Sequence, residues 1–444
     1  AAGGVKVSTG NTNTITTSTI SSNTGIGVEF VSNSNSLTGS TLATNTTIGV
    51  LVSGTTNTVS TNTITNSGTH GLSISGNTNT TIATNTITGS VQRGLLITGS
   101  ANTATGNTIG SNGTGGVLIQ TGTGNTVTGG TINSNTGPGV RIESNSNTVS
   151  SATVSSNTAG GAIVTGNSNT LTLLTMATNT GIGVELTGST TTLSSSTITS
   201  PTSFGVRVMT GTANTISLNT IDGATGAGVR FESAGNLLSG GVVTNTITGP
   251  GVTVLGGDNN AIDSVSIRTN AGAGISLTAG IGAIIQYNRI ATNTGAGIDI
   301  AAAATGGKIQ VNTINGNTGN GITINGNTTL VYNNTVSHNS LSGVVIGGTV
   351  TGFDLRNNQF TFNTGGPGIN APAGGTIDYN NTYGNTPSGV CVGGCALGVN
   401  AIKADPRYSA AGTLFTSSFA LNSSSPAIDR GLNLGASQPD LNDA

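Results

Sequence analysis

Residues 312–324 read NTINGNTGNGITI, and the fold can be inferred from this stretch and its repetition. Ile314 stands between polar neighbours, and Ile322 and Ile324 alternate with Thr323. Alternation with a period of two is typical of a strand that buries one face. The intervening residues are Asn, Gly and Thr, and Asn and Gly favour turns. We therefore interpret the stretch as two short strands joined by a turn.

The Gly-aliphatic-x-aliphatic pattern of residues 321–324 occurs seventeen times, at intervals of 22 to 25 residues. Its glycines are Gly4, Gly27, Gly49, Gly71, Gly94, Gly116, Gly139, Gly161, Gly183, Gly205, Gly228, Gly251, Gly274, Gly297, Gly321, Gly343 and Gly368. Between successive copies lie two more short segments, such as NTIT in residues 13–16 and STIS in residues 18–21. Thr, Val and Ile suit a pleated, half-buried surface. A period of this length is typical of solenoids, so we predict an all-β parallel solenoid with three short strands per coil.

The coil length, the three-strand pattern and the text N-T-I-x-x-N-x-x-x-G-I-x-I resemble right-handed parallel β-helix proteins of the pectate-lyase-like superfamily. More narrowly, they resemble its bacterial and archaeal parallel β-helix repeat members, which are secreted or periplasmic. The resemblance covers roughly residues 4–395 and implies a right-handed parallel β-helix of about 17 coils. It specifies the fold far better than the activity. We assign residues 1–396 to the β-helix.

Residues 397–444 are predicted to form a C-terminal cap. Residues 425–431 read SPAIDRG and resemble the SPAIDxG ending that follows β-helix domains in secreted bacterial surface proteins. Phe415, Phe419 and Leu421 lie in a short alternating stretch before it. Such a tail would cover the unpaired edge and the apolar cross-section of the last coil.

The first coil shows no comparable cap. Gly4-Val5-Lys6-Val7 is already a repeat strand, and the chain starts AAGG without an initiator Met or a signal peptide. We expect a mature product or an excised piece. An uncovered first coil predicts end-to-end self-association, or an upstream domain that covers it.

Asparagines recur four residues before the repeat glycine and predict an asparagine ladder at one turn. Stacked Asn side chains can bond to their neighbours above and below and satisfy polar groups in the turn. The ladder is expected to lapse around Pro201, Ala224 and Pro250. Its predicted members are Asn23, Asn45, Asn112, Asn135, Asn157, Asn179, Asn270, Asn293, Asn317 and Asn339.

Composition excludes several classes of protein. Only 6% of the 444 residues are charged and the net charge is −2, which gives no electrostatic footprint for nucleic acid or an anionic membrane. A third of the residues are hydrophobic, enough for a long thin core, so we do not expect disorder. No stretch of 18 apolar residues is present, so we predict no transmembrane segment.

Cys391 and Cys395 in CVGGC favour a local disulfide over free thiols, and therefore an extracellular or other oxidising location. His70 and His338 are too far away in sequence to suggest a metal site, and we expect them to be surface residues without a partner. We predict no cofactor, no metal and no catalytic residue.

Two groups of residues are candidates for saccharide binding. Glu185, Arg207 and Arg230 fall on three successive coils, which predicts either a surface charge ladder or a site for an acidic sugar. Further along, Tyr332 and Arg356 are expected to stack in a column.

Tyr379 is expected to continue that column. Asp354 and Asp378 are assigned to the neighbouring strand. Aromatic platforms suit sugars, but stacked tyrosines are also ordinary β-helix packing.

The favoured hypothesis is a non-enzymatic extracellular rod, acting as an adhesin, a stalk or a filament subunit. The alternative is a protein that binds or degrades polysaccharide. A third hypothesis is ice binding, because Thr-x-Thr pairs such as Thr14/Thr16 and Thr126/Thr128 form regular hydroxyl–methyl arrays.

Overall fold

A computed structural model describes residues 3–387, 391–409, 419–428 and 430–432. These residues form a parallel β-solenoid of about 18 turns with three strands per coil, and none of them is helical. The predicted fold class is confirmed. The eighteenth turn comes from Cys391–Val392, which follows the seventeen glycine-led strands. The chain divides into two compact units, Ala1–Thr215 and Ile216–Ala444.

In the first unit each coil contributes one strand to each of three sheets, in chain order. Sheet 1 contains Val5–Val7, Val28–Phe30, Val50–Val52, Leu72–Ile74, Arg93–Ile97, Gly115–Ile119, Val140–Ile142, Ala162–Val164, Val184–Leu186 and Val206–Val208. Sheet 2 contains Thr14–Thr16, Ser36–Thr38, Thr58–Ser60, Thr81–Ala83, Thr103–Thr105, Thr126–Thr128, Thr148–Ser150, Thr170–Thr172 and Thr192–Ser194. Sheet 3 contains Thr19–Ser21, Thr41–Ala43, Thr63–Thr65, Thr86–Thr88, Thr108–Gly110, Thr131–Asn133, Thr153–Ser155, Thr175–Ala177 and Thr197–Thr199.

The strand Thr215–Ser217 contains the boundary between the units, and the second unit repeats the same plan. Its sheet 1 contains Val229–Phe231, Val252–Val254, Ile275–Ile281, Ile298–Thr305, Ile322–Ile324, Val344–Ile346, Ile369–Asn370 and Cys391–Val392. Its sheet 2 contains Leu237–Ser239, Ala261–Asp263, Ile284–Gln286, Lys308–Gln310, Leu330–Tyr332, Asp354–Arg356 and Thr376–Asp378. Its sheet 3 contains Thr220–Asp222, Val242–Thr244, Ser266–Arg268, Arg289–Ala291, Thr313–Asn315, Thr335–Ser337, Gln359–Thr361 and Asn381–Tyr383.

The core consists of the inward aliphatic residues, which stack coil on coil. In sheet 2 of the first unit, Val149 pairs in register with Leu171, and Leu171 with Leu193. All three side chains are fully buried. Burying an aliphatic side chain of this size contributes about 1.5–3 kcal/mol. In most three-residue strands of sheets 2 and 3 the central residue points inward and the two flanking residues lie outside the core, although some flanking residues, such as Gln310 and Ser337, are also buried.

The repeat glycine is required where the chain turns from sheet 3 into sheet 1. A Cβ at Gly27 would lie 2.5 Å from the carbonyl oxygen of Gly49 and 2.7 Å from Nδ2 of Asn45. At Gly251 it would lie 2.5 Å from Cγ2 of Ile267. The next coil's backbone and a core side chain therefore leave no room for a side chain at this position, which explains why glycine is the most regular residue of the repeat.

The predicted asparagine ladder is confirmed at that same turn. Both the backbone N–H and Nδ2 of Asn135 donate to Oδ1 of Asn157, at 3.1 and 2.9 Å. Asn112 bonds to Asn135 in the same way. In the second unit the ladder extends two residues beyond the prediction, to Asn363 and Asn385. Each rung supplies an acceptor to a buried N–H that would otherwise lack one, which is why these buried polar residues are tolerated.

Two further ladders were not predicted, because their asparagines were assigned to the strand motif Asn-Thr-Ile-Thr. One ladder precedes sheet 2 in the first unit. The other lies at the turn from sheet 2 to sheet 3 in the second unit, and a shorter ladder of Asn62, Asn85 and Asn107 occupies the same turn in the first unit. The first contains Asn13, Asn35, Asn57, Asn79, Asn102, Asn125, Asn147 and Asn169. The second contains Asn288, Asn312, Asn334, Asn358 and Asn380.

Some threonines occupy left-handed turn positions, where β-branched residues are rare. Thr44, Thr61 and Thr178 have φ values of 51°, 56° and 54°. In each, Oγ1 donates to the carbonyl of the preceding residue at 2.6 to 2.8 Å. This local bond offsets part of the steric cost of a β-branched residue. The many threonines therefore have two explanations: they suit the outer surface of a β-sheet, and their hydroxyls stabilise left-handed turn residues.

Parts of the C-terminal tail lie against the last coils of the second unit. Ile402 forms a parallel bridge with Asn381, and the hydroxyls of Tyr408 and Thr361 are 2.9 Å apart. Burial of the Tyr408 hydroxyl raises its pKa. From these contacts we propose that residues 397–444 cap the solenoid, as the sequence predicts.

The expectation of a partnerless His338 is corrected, because its ring centroid lies 5.2 Å from Phe362 and 6.3 Å from Phe419. The tail therefore packs on aromatic residues of the solenoid. Phe415 and the QPDLNDA ending lie outside the described residues. The sulfurs of Cys391 and Cys395 form a disulfide.

Candidate functional site

The outward face of sheet 2 differs between the two units. In the first unit its third strand positions hold Thr16, Thr38, Ser60, Ala83, Thr105, Thr128, Ser150, Thr172 and Ser194. In the second unit, from the second sheet-2 strand onward, the same position holds larger polar residues, one per coil. This polar row consists of Asp263, Gln286, Gln310, Tyr332, Arg356 and Asp378, and successive members are in register.

The first half of the polar row is a chain of hydrogen bonds. Nε2 of Gln286 donates to Oδ2 of Asp263 at 2.8 Å, and Nε2 of Gln310 donates to Oε1 of Gln286 at 2.8 Å. Ser264 donates to the other carboxylate oxygen of Asp263 at 2.6 Å. These contacts fix the amide side chains in one orientation, with the carboxylate at one end.

The second half is a cluster of Tyr332, Asp354 and Arg356, called here the Tyr–Asp–Arg cluster. The Tyr332 hydroxyl donates to Oδ2 of Asp354 at 2.8 Å, and Nε of Arg356 donates to Oδ1 at 2.8 Å. The Asp354 side chain is 17% exposed and that of Arg356 is 30% exposed. Burial, and then the bond to Asp354, raise the pKa of Tyr332 to about 12. The hydroxyl is therefore a neutral donor at physiological pH, held against an ion pair.

The row ends at Asp378, where the tail meets the sheet. The backbone N–H and Nδ2 of Asn400 each donate to the Asp378 carboxylate at 3.0 Å. The backbone N–H of Tyr379 also donates to it, at 2.9 Å. Asp378 is thus held by a tail residue rather than by its neighbour in the row.

The expected column of Tyr332, Arg356 and Tyr379 needs a correction. Tyr332 and Arg356 are in register, but the next partner of Arg356 is Asp378. Tyr379 lies in the following turn, with a φ of 55°. Asp354 is also in the same strand as Arg356, not in a neighbouring one.

The error is a one-residue slip caused by two similar Tyr-Asn-Asn stretches. In residues 332–334 the ladder uses the second asparagine, Asn334, whereas in residues 379–381 it uses the first, Asn380. Counting back two residues from the ladder asparagine gives the correct row, and it would also have identified Gln310 and Asp378. A slip of one residue moves every side chain to the other face.

The second predicted group consists of ion pairs on sheet 1. In the first unit Nη1 of Arg207 lies 3.4 Å from Oε2 of Glu185. In the second unit Nε of Arg230 lies 2.6 Å from Oε1 of Glu232. Both arginines therefore have carboxylate partners within their own unit, which favours the surface charge ladder over a sugar site.

Family comparison agrees with the coil geometry. A family model described as right handed beta helix region matches residues 1–104, 27–176, 204–360 and 301–400. The chain belongs to the right-handed beta helix family. A search of the curated proteins finds no match to this beta helix chain. No helix able to cross a membrane occurs in the described residues.

Several solved structures share the beta helix fold. The mannuronan C-5 epimerase AlgE6 A-module of Azotobacter vinelandii is 13% identical, with a TM-score of 0.41, over 84% of this chain and 91% of that one. The pectate lyase Pel9A is 16% identical, with a TM-score of 0.39, over 79% and 88%. The periplasmic alginate epimerase AlgG is 15% identical, with a TM-score of 0.36, over 60% and 76%. At these identities the likeness concerns the fold.

The prediction of a non-enzymatic protein is wrong on this comparison. The three solved structures are two epimerases and a pectate lyase. The stalk or filament hypothesis has no support among them.

Proposed function

We propose that the chain binds a polysaccharide along the sheet-2 face of its second unit and modifies it at the Tyr–Asp–Arg cluster. The observation that carries the proposal is the polar row. In six successive coils it replaces the small side chains of the first unit with large hydrogen-bonding ones, one per coil, on strands of the same length and register.

The spacing of the row suits a polymer. Neighbouring strands lie about 4.8 Å apart, so the row presents a donor or an acceptor at regular short intervals across several coils. A polysaccharide presents its hydroxyls and ring oxygens at regular intervals too. A chain laid across the strands would meet a similar set of partners in each coil, which a single small molecule would not use.

The side chains also suit sugars individually. Tyr332 combines an aromatic face with a hydroxyl, and both are used to contact sugar rings and their hydroxyls. The planar guanidinium of Arg356 matches carboxylates bidentately. Lys308, which lies beside Gln310 on the same strand, makes no ion pair within the described part of the chain and adds a second cation.

The proposed reacting group is the carboxylate of Asp354. General acid–base catalysis needs a positioned group that can move a proton, with neighbours that orient it. Asp354 is oriented from both sides, by the Tyr332 hydroxyl and the Arg356 guanidinium. A polysaccharide ligand also accords with the predicted location outside the cytoplasm.

Binding is tested by electrophoresis in gels that contain graded amounts of pectin, alginate or a neutral glucan. We expect at least one polymer to retard the protein, and Arg356→Gln to weaken that retardation roughly tenfold, as expected for a lost charge-assisted hydrogen bond. The matched control is Thr172→Ala, at the same strand position in the first unit, which should bind like wild type. No retardation by any polymer, or equal retardation of Arg356→Gln, would refute the site.

Modification is tested on the polymer that binds. Reducing ends report hydrolysis, ultraviolet absorbance reports unsaturated lyase products, and proton NMR reports epimerisation. We expect one product from the wild type and at least a hundredfold less from Asp354→Asn, a loss typical of a general acid–base group. Binding without any product would leave a binding protein and overturn the catalytic half of the proposal.

A further inference from the structure

The C-terminal tail returns to the solenoid beside the Tyr–Asp–Arg cluster. Nδ2 of Asn357 donates to the carbonyl of Leu432 at 2.8 Å, and the backbone N–H of Leu432 donates to Oδ1 of Asn357 at 2.8 Å. The two residues are 75 positions apart in the sequence. Asn357 directly follows Arg356, a member of the cluster. The tail is therefore attached to the solenoid one residue from the candidate site.

This attachment fixes both the position and the direction of the tail backbone. The amide of Asn357 offers a donor and an acceptor in one plane, and the backbone of Leu432 uses both. Gly431 lies against the same amide, because a Cβ there would be 3.4 Å from Cγ of Asn357. Asn357 has a φ of 59°, a left-handed turn conformation that asparagine adopts more readily than most residues. An asparagine at this turn therefore suits both the local backbone and the tail.

The turn from sheet 2 to sheet 3 is more covered near Asn357 than elsewhere. Leu173 and Leu218 occupy the left-handed position of this turn in earlier coils and are 58% and 66% exposed. Val311 and Asn333 occupy it in the two coils before Asn357 and are only 7% and 6% exposed. The turn is thus closed off in successive coils along the polar row.

The polar row borders this turn. Its members occupy the last position of their sheet-2 strands, so the turn residue is the next residue of the chain. A backbone segment bound to the side chain of that turn residue therefore lies at the edge of the row. Gly431 is exposed and Leu432 is half-buried, so both keep surface that a ligand on the row could contact.

We propose that Gly431 and Leu432 form a wall of the polysaccharide site, and that Asn357 is the positioning residue that holds this wall. The inference rests on the proposed function and adds to it that the polar row is the floor of a groove rather than part of an open face. An apolar side chain next to a few placed hydrogen-bonding groups is typical of ligand sites. It suits a saccharide, which presents C–H groups as well as hydroxyls.

Trypsin tests, without any polymer, whether Asn357 holds the tail. Arg430 is exposed and precedes Gly431, so the peptide bond between them is a cleavage site beside the wall. We expect cleavage after Arg430 to be about threefold faster in Asn357→Gly than in wild type, because the tail opens locally more often. The matched control is Thr292→Gly, another left-handed turn residue of the second unit with a φ of 53°, which should be cut at the wild-type rate. Equal rates in Asn357→Gly and wild type would overturn the positioning role.

Polymer binding is then measured by affinity electrophoresis of the full chain, with whichever of pectin, alginate or the neutral glucan retards the wild type. We expect Asn357→Gly and Leu432→Ala to weaken retardation about fivefold and about threefold, through lost contacts with the wall. Asn357→Asp keeps the acceptor for the Leu432 N–H, so it should bind better than Asn357→Gly. The control for Leu432→Ala is Leu173→Ala, an exposed leucine of the first unit, which should bind like wild type.

Protection from trypsin by bound polymer places the wall at the site. The polymer should slow cleavage after Arg430 and leave unchanged the cleavage after Lys403, an exposed residue elsewhere in the tail. Equal slowing at both residues would overturn the proposal, as would wild-type binding by Asn357→Gly and Leu432→Ala. If those two variants bind normally while Arg356→Gln does not, the wall alone is refuted. If no polymer binds, or Arg356→Gln binds like wild type, the proposed function itself fails.

Discussion

The sheet-2 strands of the two units have the same backbone arrangement, but their outward side chains differ. In the first unit Leu171 points inward between Thr170 and Thr172, and in the second unit Leu355 points inward between Asp354 and Arg356. Both leucines are fully buried. The comparison teaches that one inward residue per strand secures the coil, while the outward pair is available for function.

The ice-binding hypothesis for the first unit's hydroxyl face stays a prediction, checked by thermal hysteresis of the purified protein.

The largest expected effect separates inward from outward residues. Leu171→Ala and Leu355→Ala should each destabilise the protein by about 2–5 kcal/mol, because each leaves a cavity in a fully packed column. Thr172→Ala and Thr376→Ala should stay within about 0.5 kcal/mol of wild type. Denaturant unfolding followed by circular dichroism measures both. If the outward changes cost as much as the inward ones, the faces are structural and the comparison fails.

The ladders should be the next most sensitive feature, and asparagines occupy the turn from sheet 2 to sheet 3 in both units. Asn147→Ala removes the acceptor of Asn125, and Asn358→Ala removes that of Asn334. Each should lower the free energy of unfolding by about 1–3 kcal/mol, because a buried N–H loses its partner. Asn147→Ser should cost less, since Ser40 already serves as such an acceptor for Ser18. Equal losses for Ala and Ser would contradict the hydrogen-bond explanation.

A transplant tests whether the outward positions are interchangeable. Ser150 and Thr172 are in register in the first unit, as Tyr332 and Arg356 are in the second. Ser150→Tyr combined with Thr170→Asp and Thr172→Arg should therefore rebuild the cluster on the first unit. For a polymer that binds the wild type, calorimetry with short oligomers should show the number of sites rise from one to two. An unchanged number would mean that the cluster needs the rest of the polar row.

The smallest expected effect is a pH dependence confined to the second unit. The Tyr332 pKa is raised from 10.0 to about 12 in the folded protein. Its neutral form is therefore favoured by folding, and that stabilisation is complete below pH 10 and lost as the pH rises through about 12. The denaturant concentration at the midpoint of unfolding should therefore fall between pH 9 and pH 11.5, and it should fall less in Tyr332→Phe than in wild type. An identical difference in both would place the alkaline sensitivity elsewhere.

Much of the fold could be predicted from the repeat, because each position has one dominant physical requirement. At the repeat glycine Gly27, for example, Gly49 and Asn45 of the next coil leave no room for a side chain. The aliphatic residues must be buried, and the turn asparagine must supply an acceptor to the coil before it. These requirements recur in every coil, so they appear in the sequence as a period.

The candidate site was only half predicted. Tyr332 and Arg356 were identified by their residue types, but the register that joins Arg356 to Asp378 rather than Tyr379 depends on which asparagine occupies the ladder. Because the two asparagines are adjacent, the sequence pattern does not show which of them belongs to the ladder. The backbone resolves them through the left-handed turn residue that precedes the ladder.

The repeat is sufficient to predict the three-strand coil, its parallel stacking and one asparagine ladder, because periodic burial and close packing require the same residue types in each coil. Which outward side chains meet depends instead on the register of the folded coils. Contacts such as those of Tyr332 with Asp354, or of Arg93 across Gly115, join residues 22 positions apart. A shift of a single residue within a coil would break each of them without changing the repeat, so the pattern alone carries no record of them.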